Sequence, residues 1–368
     1  MSRSALPVVA VDCTLVGGEN TGDSTYWTGI VRAMLVKDPG LRLLLLSNLQ
    51  KPDCLPEMPE WARWVRLGGR QNRYFNQVRM PLAARRLGAR AFHTQYTLSP
   101  LAPGGITTIH DVSFLIGPEW FRPRDRFLLS RLVPGSARRA RRVITVSETS
   151  KRDIVRLLGV PEDKVVVTWN GVEERYKPVP RDDALARLGR YGVEPPYVLT
   201  VGTRWPRKNM ALAIEAAERL PAGVPHRLVV TGKPGWGMEE WEGGSRARVQ
   251  FTGYVDDEDM PALYSAADLY LCPSHYEGFG LPVVEAMACG TPVLSSAGGA
   301  LPEVIGDAGV IEERLDPAIW AARIASLLQD SSMLAGMRER GLQRAKQFTW
   351  EAAAERTLEV YREVCASA

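Results

Sequence analysis

Long hydrophobic runs are missing from this chain. Its longest purely aliphatic stretches, such as Leu43 to Leu46, fall far short of the ~20 residues that span a bilayer. Nor does the N-terminus combine a charged start, an apolar stretch and a small-residue cleavage site. A cytoplasmic protein, free to rest on a membrane surface, is therefore the expectation. Cysteine is scarce and unpaired: Cys13, Cys54, Cys272, Cys289 and Cys365 form no CxxC, so buried reduced thiols are expected rather than a disulfide framework. The four histidines show no ligand-like spacing, and no metal site is predicted. Charge of one sign is not in excess, with 46 basic against 42 acidic residues and a net charge of +4. Bulk charge points to no particular partner, and the one basic run lacks the interleaved aromatics of a nucleic-acid surface.

What the chain does have is length and a patterned stretch. At 368 residues with 45% hydrophobic content, it is long for one core, and two domains are expected. The most informative stretch is CPSHYEGFGLPVVEAMACGTPVLSSAGGALPE, from Cys272 to Glu303. Asp268 to Ser274 reads as a buried strand and Thr291 to Ser296 as the next. Between them Pro282 suits the first turn of a helix that Gly290 and Pro292 end. Strand, tight loop, helix and strand in this order build parallel sheets. Glu277 then lies in the loop before the helix, and Glu285 on its second turn. Gly278 and Gly280 let the backbone approach a ligand, and the free N–H groups of the helix start offer partial positive charge to a phosphate. Glu285 is placed to accept hydrogen bonds from a diol beside that phosphate. Together these features read as a site for a nucleoside diphosphate. Two glutamates with glycines between them are, on their own, an ordinary loop and a solvated helix face.

The full string, with its GTPV and GG-x-x-PE segments, resembles the signature of the retaining GT-B glycosyltransferases of family 4. The resemblance covers nearly the whole chain, is strong from Pro196 to Glu303, and weakens through Asn48 to Arg90. It implies an α/β fold of the GT-B type, two doubly wound Rossmann-like domains facing across a cleft. The expected boundaries are an acceptor-side domain at 1–177, a nucleotide-sugar domain at 178–345 and a C-terminal helix at 346–368 packing back on the first domain. It also implies transfer of a sugar from a nucleoside-diphosphate sugar to a saccharide or lipid-linked acceptor, in polysaccharide or glycoconjugate biosynthesis. Retained anomeric configuration, no divalent metal and no cofactor beyond the co-substrate donor are part of that expectation. Glu277 would lie at the donor sugar and Glu285 at the ribose, with Gly278, Phe279, Gly280 and Leu281 along the donor.

In the first half, Pro7 to Val16 is a short apolar strand ended by Gly17 and Gly18, and a helix is expected from Ser24 or Thr25. The family has a shorter glycine-rich loop between them, near the donor phosphates and the acceptor, which assigns Gly18 and Gly22 to the donor. Glu19 and Asp23 depart from that pattern, since acids repel a diphosphate. Asp23 reads either as a group facing an acceptor hydroxyl or as the helix cap. Further strands are expected at Leu41 to Leu46, Ala91 to His93, Ile106 to His110, Arg142 onward and Lys164 to Val172. His110 and Asp111 stand where ligands of open α/β sheets gather. A lone histidine is more often structural, but the family places one against the donor sugar, which implies a catalytic role for His110 with Asp111 at the donor. The run from Arg122 to Arg142 reads either as a solvated helix with snorkelling arginines or as a patch for anionic lipid or a phosphorylated acceptor.

Tyr176 to Pro180 breaks the periodicity and reads as the interdomain linker. Beyond it, Pro196 to Gly202 is a buried strand followed by Thr203, Arg204 and, before the next helix, Arg207 and Lys208. On pattern alone those last two read equally as surface charges or as ligand-facing cations; the family segment of this form holds the diphosphate, which implies that both act on the leaving group. Many relatives carry arginine where this chain has Thr203, and Arg204 is expected to replace it. Gly232, Lys233 and Tyr254 resemble the rim of the family's base pocket. Asp257, Glu258 and Asp259 have the form of a metal-binding DxD but open a helix at Met260, where acids cap and favour the dipole. Two other readings stay open: a nucleotide-sugar-binding subunit without turnover, and a phosphorylase-like or epimerase-like GT-B protein.

Overall fold

A computed structural model describes residues 6–18, 21–235 and 247–367; Glu19 lies outside them. The chain divides into two units, one made of Met1–Pro118, Arg122–Gly171 and Thr349–Ala368, the other of Glu119–Phe121 and Val172–Phe348.

The first unit holds β1 (Val8–Asp12), β2 (Arg42–Ser47), β3 (Ala62–Arg66), β4 (Ala91–Gln95), β5 (Gly105–Thr108), β6 (Arg142–Thr145) and β7 (Val165–Val167). They form a parallel sheet in the order β3-β2-β1-β4-β5-β6-β7. Val9, Ala10 and Val11 are fully buried, as expected of a central strand with helices on both faces. Strand order reverses between β1 and β4, which opens a crevice beyond their carboxyl ends. The helix Gly22–Met34 packs against the C-terminal helix Trp350–Ala366, capped by Thr349. The approach is close enough that a Cβ on Gly29 would stand 2.4 Å from the Trp350 ring.

The second unit repeats the plan with β8 (Tyr197–Val201), β9 (Arg227–Thr231), β10 (Val249–Gly253), β11 (Leu269–Cys272), β12 (Val293–Ser296) and β13 (Val310–Glu312). Their order is β10-β9-β8-β11-β12-β13, again parallel. The reversal falls between β8 and β11, so the loops after these two strands flank the crevice. Val198, Ile214, Leu271 and Trp320 are fully buried in the core beneath.

Several elements differ from the sequence reading. The first helix starts at Gly22, not Ser24, because Thr21 is the extended residue whose side chain accepts from Ser24 N. Asp23 is therefore not the cap. β5 stops at Thr108, so His110 and Asp111 sit in the loop beyond it. The strands β3 and β13 went unread: both are edge strands with partly exposed, mixed side chains and no apolar run. The residues read as a linker already pack in the second unit, where Val179 N donates to Ser265 Oγ at 3.0 Å. Pro180 there introduces the helix Arg181–Leu188. Four of the cysteines are buried, but Cys54 is exposed. Asp259 makes no capping hydrogen bond; it pairs with Arg190 and accepts from the Tyr191 hydroxyl at 3.0 Å.

Candidate active site

In the second unit the loop after β8 and the loop after β11 place three charged groups together. Lys208 Nζ donates to Glu277 Oε1 at 2.7 Å, and Arg207 Nη1 donates to Glu277 Oε2 at 3.0 Å. Ser274 adds its hydroxyl to Oε1 at 2.7 Å, while Arg207 Nη1 also donates to the Tyr276 carbonyl at 2.7 Å. Glu277 is only 5% exposed. Burial by itself raises its carboxyl, but the charges of Lys208 and Arg207, with the hydrogen bonds of Lys208 and Ser274, outweigh that and hold it at about 2. Two cations and one carboxylate leave the trio with a net positive charge. Beside it opens a small recess lined by Thr200, Lys208, Tyr270, Ser274, Glu277 and Gly280.

The backbone of the acidic loop is fixed by the Gly298-Gly299 pair. Ala300 N donates to Glu277 O at 2.9 Å, and Gly299 has φ +63°, with any Cβ falling 2.3 Å from that same oxygen. Only glycine fits there without strain. Gly280 precedes the helix Leu281–Ala288; Val283 N and Val284 N donate to Gly280 O and Pro282 has no N–H, so in the first turn the Leu281 N–H stands outside the intrahelical ladder. Gly278 is buried in the same loop. Phe279 turns inward and packs edge-on against Phe348, ring centroids 5.4 Å apart.

Glu285, on the second turn of this helix, does not join the trio. Its Oε2 accepts from the Tyr264 hydroxyl at 2.8 Å. Burial pushes its carboxyl up to about 7, with Glu173 acting the same way and the Tyr264 hydrogen bond, Arg175 and Lys208 opposing. The remaining residues read as donor contacts lie on neighbouring loops. Arg204 is buried with its guanidinium over the Phe251 ring, 5.4 Å from the centroid, and its N–H donates to Lys233 O at 3.2 Å. Thr203 O accepts from Trp205 N, and Gly232 N donates to Gly253 O at 3.0 Å. Tyr254 is half exposed and donates to Asp257 Oδ1 at 3.2 Å. With Asp257 also 3.7 Å from Arg175 Nη1, the acidic run disperses onto separate basic and hydroxyl partners.

In the first unit His110 is 9% exposed. The Tyr26 ring meets it edge-on at 4.7 Å and 88°, and Tyr96 stands at 5.7 Å. His110 Nε2 lies 3.7 Å from Asp23 Oδ1 and has no hydrogen-bond partner among the described residues. Burial lowers the imidazole from its ordinary value, against the opposing pull of Asp23 and Asp111, so the ring is neutral at pH 7. Asp111 turns into its own chain, accepting from Ser113 N at 2.8 Å. Gly18 N donates to Leu15 O at 3.2 Å, and Gly22 begins the first helix.

Sequence reasoning missed Ser274 and Tyr264. Ser274 lies three positions before Glu277 in the same loop, so its reach to the carboxylate was open to reading. Tyr264 sits on the helix Met260–Ser265 and nothing local connects it to Glu285.

The comparisons with known proteins follow this geometry. Residues 189–344 match the family model described as Glycosyl transferases group 1, and residues 47–176 that of Glycosyltransferase Family 4. The chain is 38% identical over 266 residues to the O-antigen chain mannosyltransferase B of Escherichia coli, covering 70% of each chain. Among solved structures, a sucrose-phosphate synthase of Thermosynechococcus elongatus matches with a TM-score of 0.77 at 23% identity, over 98% of this chain and 100% of that one. The HepE protein of Anabaena, solved in complex with UDP and glucose, matches with a TM-score of 0.72 at 18% identity, over 96% of this chain and 99% of that one. With both doubly wound units matched in sequence and in fold, the chain belongs to the group 1, family 4 glycosyltransferases of the GT-B fold and is a sugar-transferring enzyme.

Proposed function

We propose that this enzyme moves a sugar, with mannose the first to test, from a nucleoside-diphosphate sugar to a hydroxyl of a saccharide or lipid-linked acceptor in polysaccharide assembly. Anomeric configuration is retained and no divalent metal is needed. The observation that carries this reading is the Arg207, Lys208 and Glu277 trio at the switch point of the second unit. As the glycosidic bond breaks, negative charge grows on the departing diphosphate. Cations already held in place by Glu277, itself fixed by Ser274, meet that charge without reorganising, which is where electrostatic catalysis gains most. The N–H of Leu281 at the helix start adds to the same field. Mannose and a polysaccharide acceptor follow from the Escherichia coli relative, and the diphosphate donor is supported by the Anabaena protein of the same fold.

His110 offers a buried neutral imidazole whose Nε2 has no hydrogen-bond partner among the described residues, and this ring is the group we assign to the donor sugar. The helix Pro123–Arg139 exposes Arg124, Arg126 and Arg131 beside Phe127, itself 60% exposed. Basic groups around an apolar side chain suit an anionic membrane surface, where a lipid-linked acceptor resides. No helix among the described residues is long and apolar enough to cross a membrane.

The test is transfer to a saccharide acceptor from a panel of nucleoside-diphosphate hexoses, the mannose donors first. Proton NMR of the nascent product gives its anomeric configuration. A retained product is expected, together with a fall in kcat of about 10²-fold in Lys208→Ala. An inverted product overturns retention, and near-normal turnover in the variant removes Lys208 from the chemistry.

A further inference from the structure

We infer that Tyr26 is a positioning residue for His110, and that a buried hydrogen-bonded chain from the C-terminal helix through His93 and Thr108 holds Tyr26 in place. The inference rests on the proposed role of His110 in transfer.

The chain begins on the helix Trp350–Ala366, where the Tyr361 hydroxyl meets His93 Nδ1 at 2.7 Å. On the other side of the ring, His93 Nε2 meets Thr108 Oγ1 at 2.7 Å. Thr108 Oγ1 in turn lies 3.2 Å from the Tyr26 hydroxyl, whose other hydroxyl neighbour is Thr168. All four side chains from Tyr361 to Tyr26 are fully buried, at 0% exposure. Burial first, then the neighbouring His110, pushes the His93 imidazole down to about 3, so it is neutral at pH 7. Burial likewise pushes the Tyr26 hydroxyl up to about 12, so it keeps its proton. A neutral imidazole has one N–H donor and one acceptor nitrogen. The His93 tautomer therefore sets the donor at both of its own links, and both nitrogens are satisfied either way; with Nε2 as acceptor, Thr108 donates to it and Tyr26 donates to Thr108. Fully satisfied buried networks of this kind hold their members in one geometry.

What the network ends on gives it a function beyond packing. The Tyr26 ring meets the His110 ring edge-on, with centroids 4.7 Å apart. His110 Nε2 has no hydrogen bond among the described residues, and its nearest charged neighbour, Asp23, stands at 3.7 Å. No hydrogen bond at that nitrogen fixes the plane of the imidazole, so ring packing from Tyr26 and Tyr96 sets it. Anchoring the Tyr26 hydroxyl through Thr108 and His93 thus sets the orientation of the His110 ring that the donor sugar would meet. A small displacement of such a group lowers turnover out of proportion to its size.

Four variants of the full chain test this. Tyr26→Phe and Tyr361→Phe each remove one hydroxyl, Thr108→Val removes the shared one at nearly constant volume, and Thr108→Ser keeps it. Two readouts are taken: kcat with donor KM, and the pH titration of the His110 imidazole by carbon-proton NMR in the ligand-free protein. Loss of one buried hydrogen bond is expected to lower kcat by about 2- to 12-fold. Donor KM should hold within about 2-fold of wild type, as for an interaction made only in the transition state. The His110 titration should move up toward its ordinary value as the ring loosens, and Thr108→Ser should restore both readings. Unchanged kcat and an unchanged titration in Thr108→Val overturn the inference, as does an equal loss in Thr108→Ser. Should Thr108→Val not fold, Tyr361→Phe at the far end of the chain gives the same decision. His110→Ala, measured alongside, separates the two ideas. Wild-type turnover there defeats the role of His110, while the titration alone still decides whether Tyr26 positions the ring.

Discussion

Replacing Glu277 by glutamine keeps the outline of the site and takes away its one negative charge. Arg207 and Lys208, held at 3.0 and 2.7 Å from the carboxylate, are then left beside each other with a neutral amide between them. Removing one partner of a buried ion pair costs about 3–5 kcal/mol. The titration of the carboxyl gives a second measure. Held at about 2 in the folded chain against an ordinary 4.5, it stabilises the fold by about 3 kcal/mol at neutral pH. Two routes that share little arithmetic thus agree on about 3 kcal/mol, or roughly 6–12 °C in the melting of a unit of this size. Because the folded value is depressed, the contribution is fully present above about pH 4.5 and fades as pH falls toward 2. Thermal melts of wild type and Glu277→Gln, taken at pH 7 and in steps down to pH 3, are the assay. The gap should be widest at pH 7 and should narrow below 4.5. A gap under about 1 kcal/mol at pH 7, or one that does not narrow in acid, would refute the reasoning.

Glu285 should behave in the opposite sense. Its carboxyl sits at about 7 when folded, so wild type loses stability as pH rises from 4.5 through 7, and Glu285→Gln should not. The variant should melt higher than wild type at pH 8 and equal to it below pH 4.5, while its donor KM rises; parallel melting curves or an unaltered KM would count against the assignment. Gly299→Ala should lower stability by more than ~1 kcal/mol and reduce kcat, since its Cβ would fall 2.3 Å from Glu277 O; wild-type values for both would show that the loop is not seated as described. Reversing Arg124, Arg126 and Arg131 to glutamate should abolish sedimentation with anionic vesicles, each basic residue being worth about 1 kcal/mol there. Turnover on a water-soluble acceptor should be unchanged, and undiminished sedimentation would dismiss the membrane contact.

Much of this was legible in the chain because the relevant signals are local. Glu277, Gly280 and Pro282 lie within one strand-loop-helix unit, and the doublet Arg207-Lys208 follows a buried strand directly. Alternation of apolar strands with helical periods therefore located the sheets and their carboxyl-end loops. What stayed hidden depends on contacts between distant segments. The phenol that holds Glu285 comes from Tyr264, and the anchor of Tyr26 runs through His93 to Tyr361. Neither pairing leaves a mark at either position. The edge strands β3 and β13 went unread for another reason, since their partly exposed residues carry no continuous apolar run. Arg204 shows a third limit. Its burial over Phe251 is a position set by β10 rather than by its own neighbours.

The central claim is that Arg207 and Lys208 grip the donor diphosphate without help from a divalent ion. Isothermal titration of UDP and GDP into the wild-type chain and into the Arg207→Ala/Lys208→Ala double variant, each in EDTA and in magnesium, tests it most directly. Wild type should bind one of them as tightly in EDTA as in magnesium, and the double variant about 10²-fold or more weakly, for the loss of two hydrogen bonds to charge. Equal affinity in the variant, or binding by wild type that vanishes in EDTA, would contradict it.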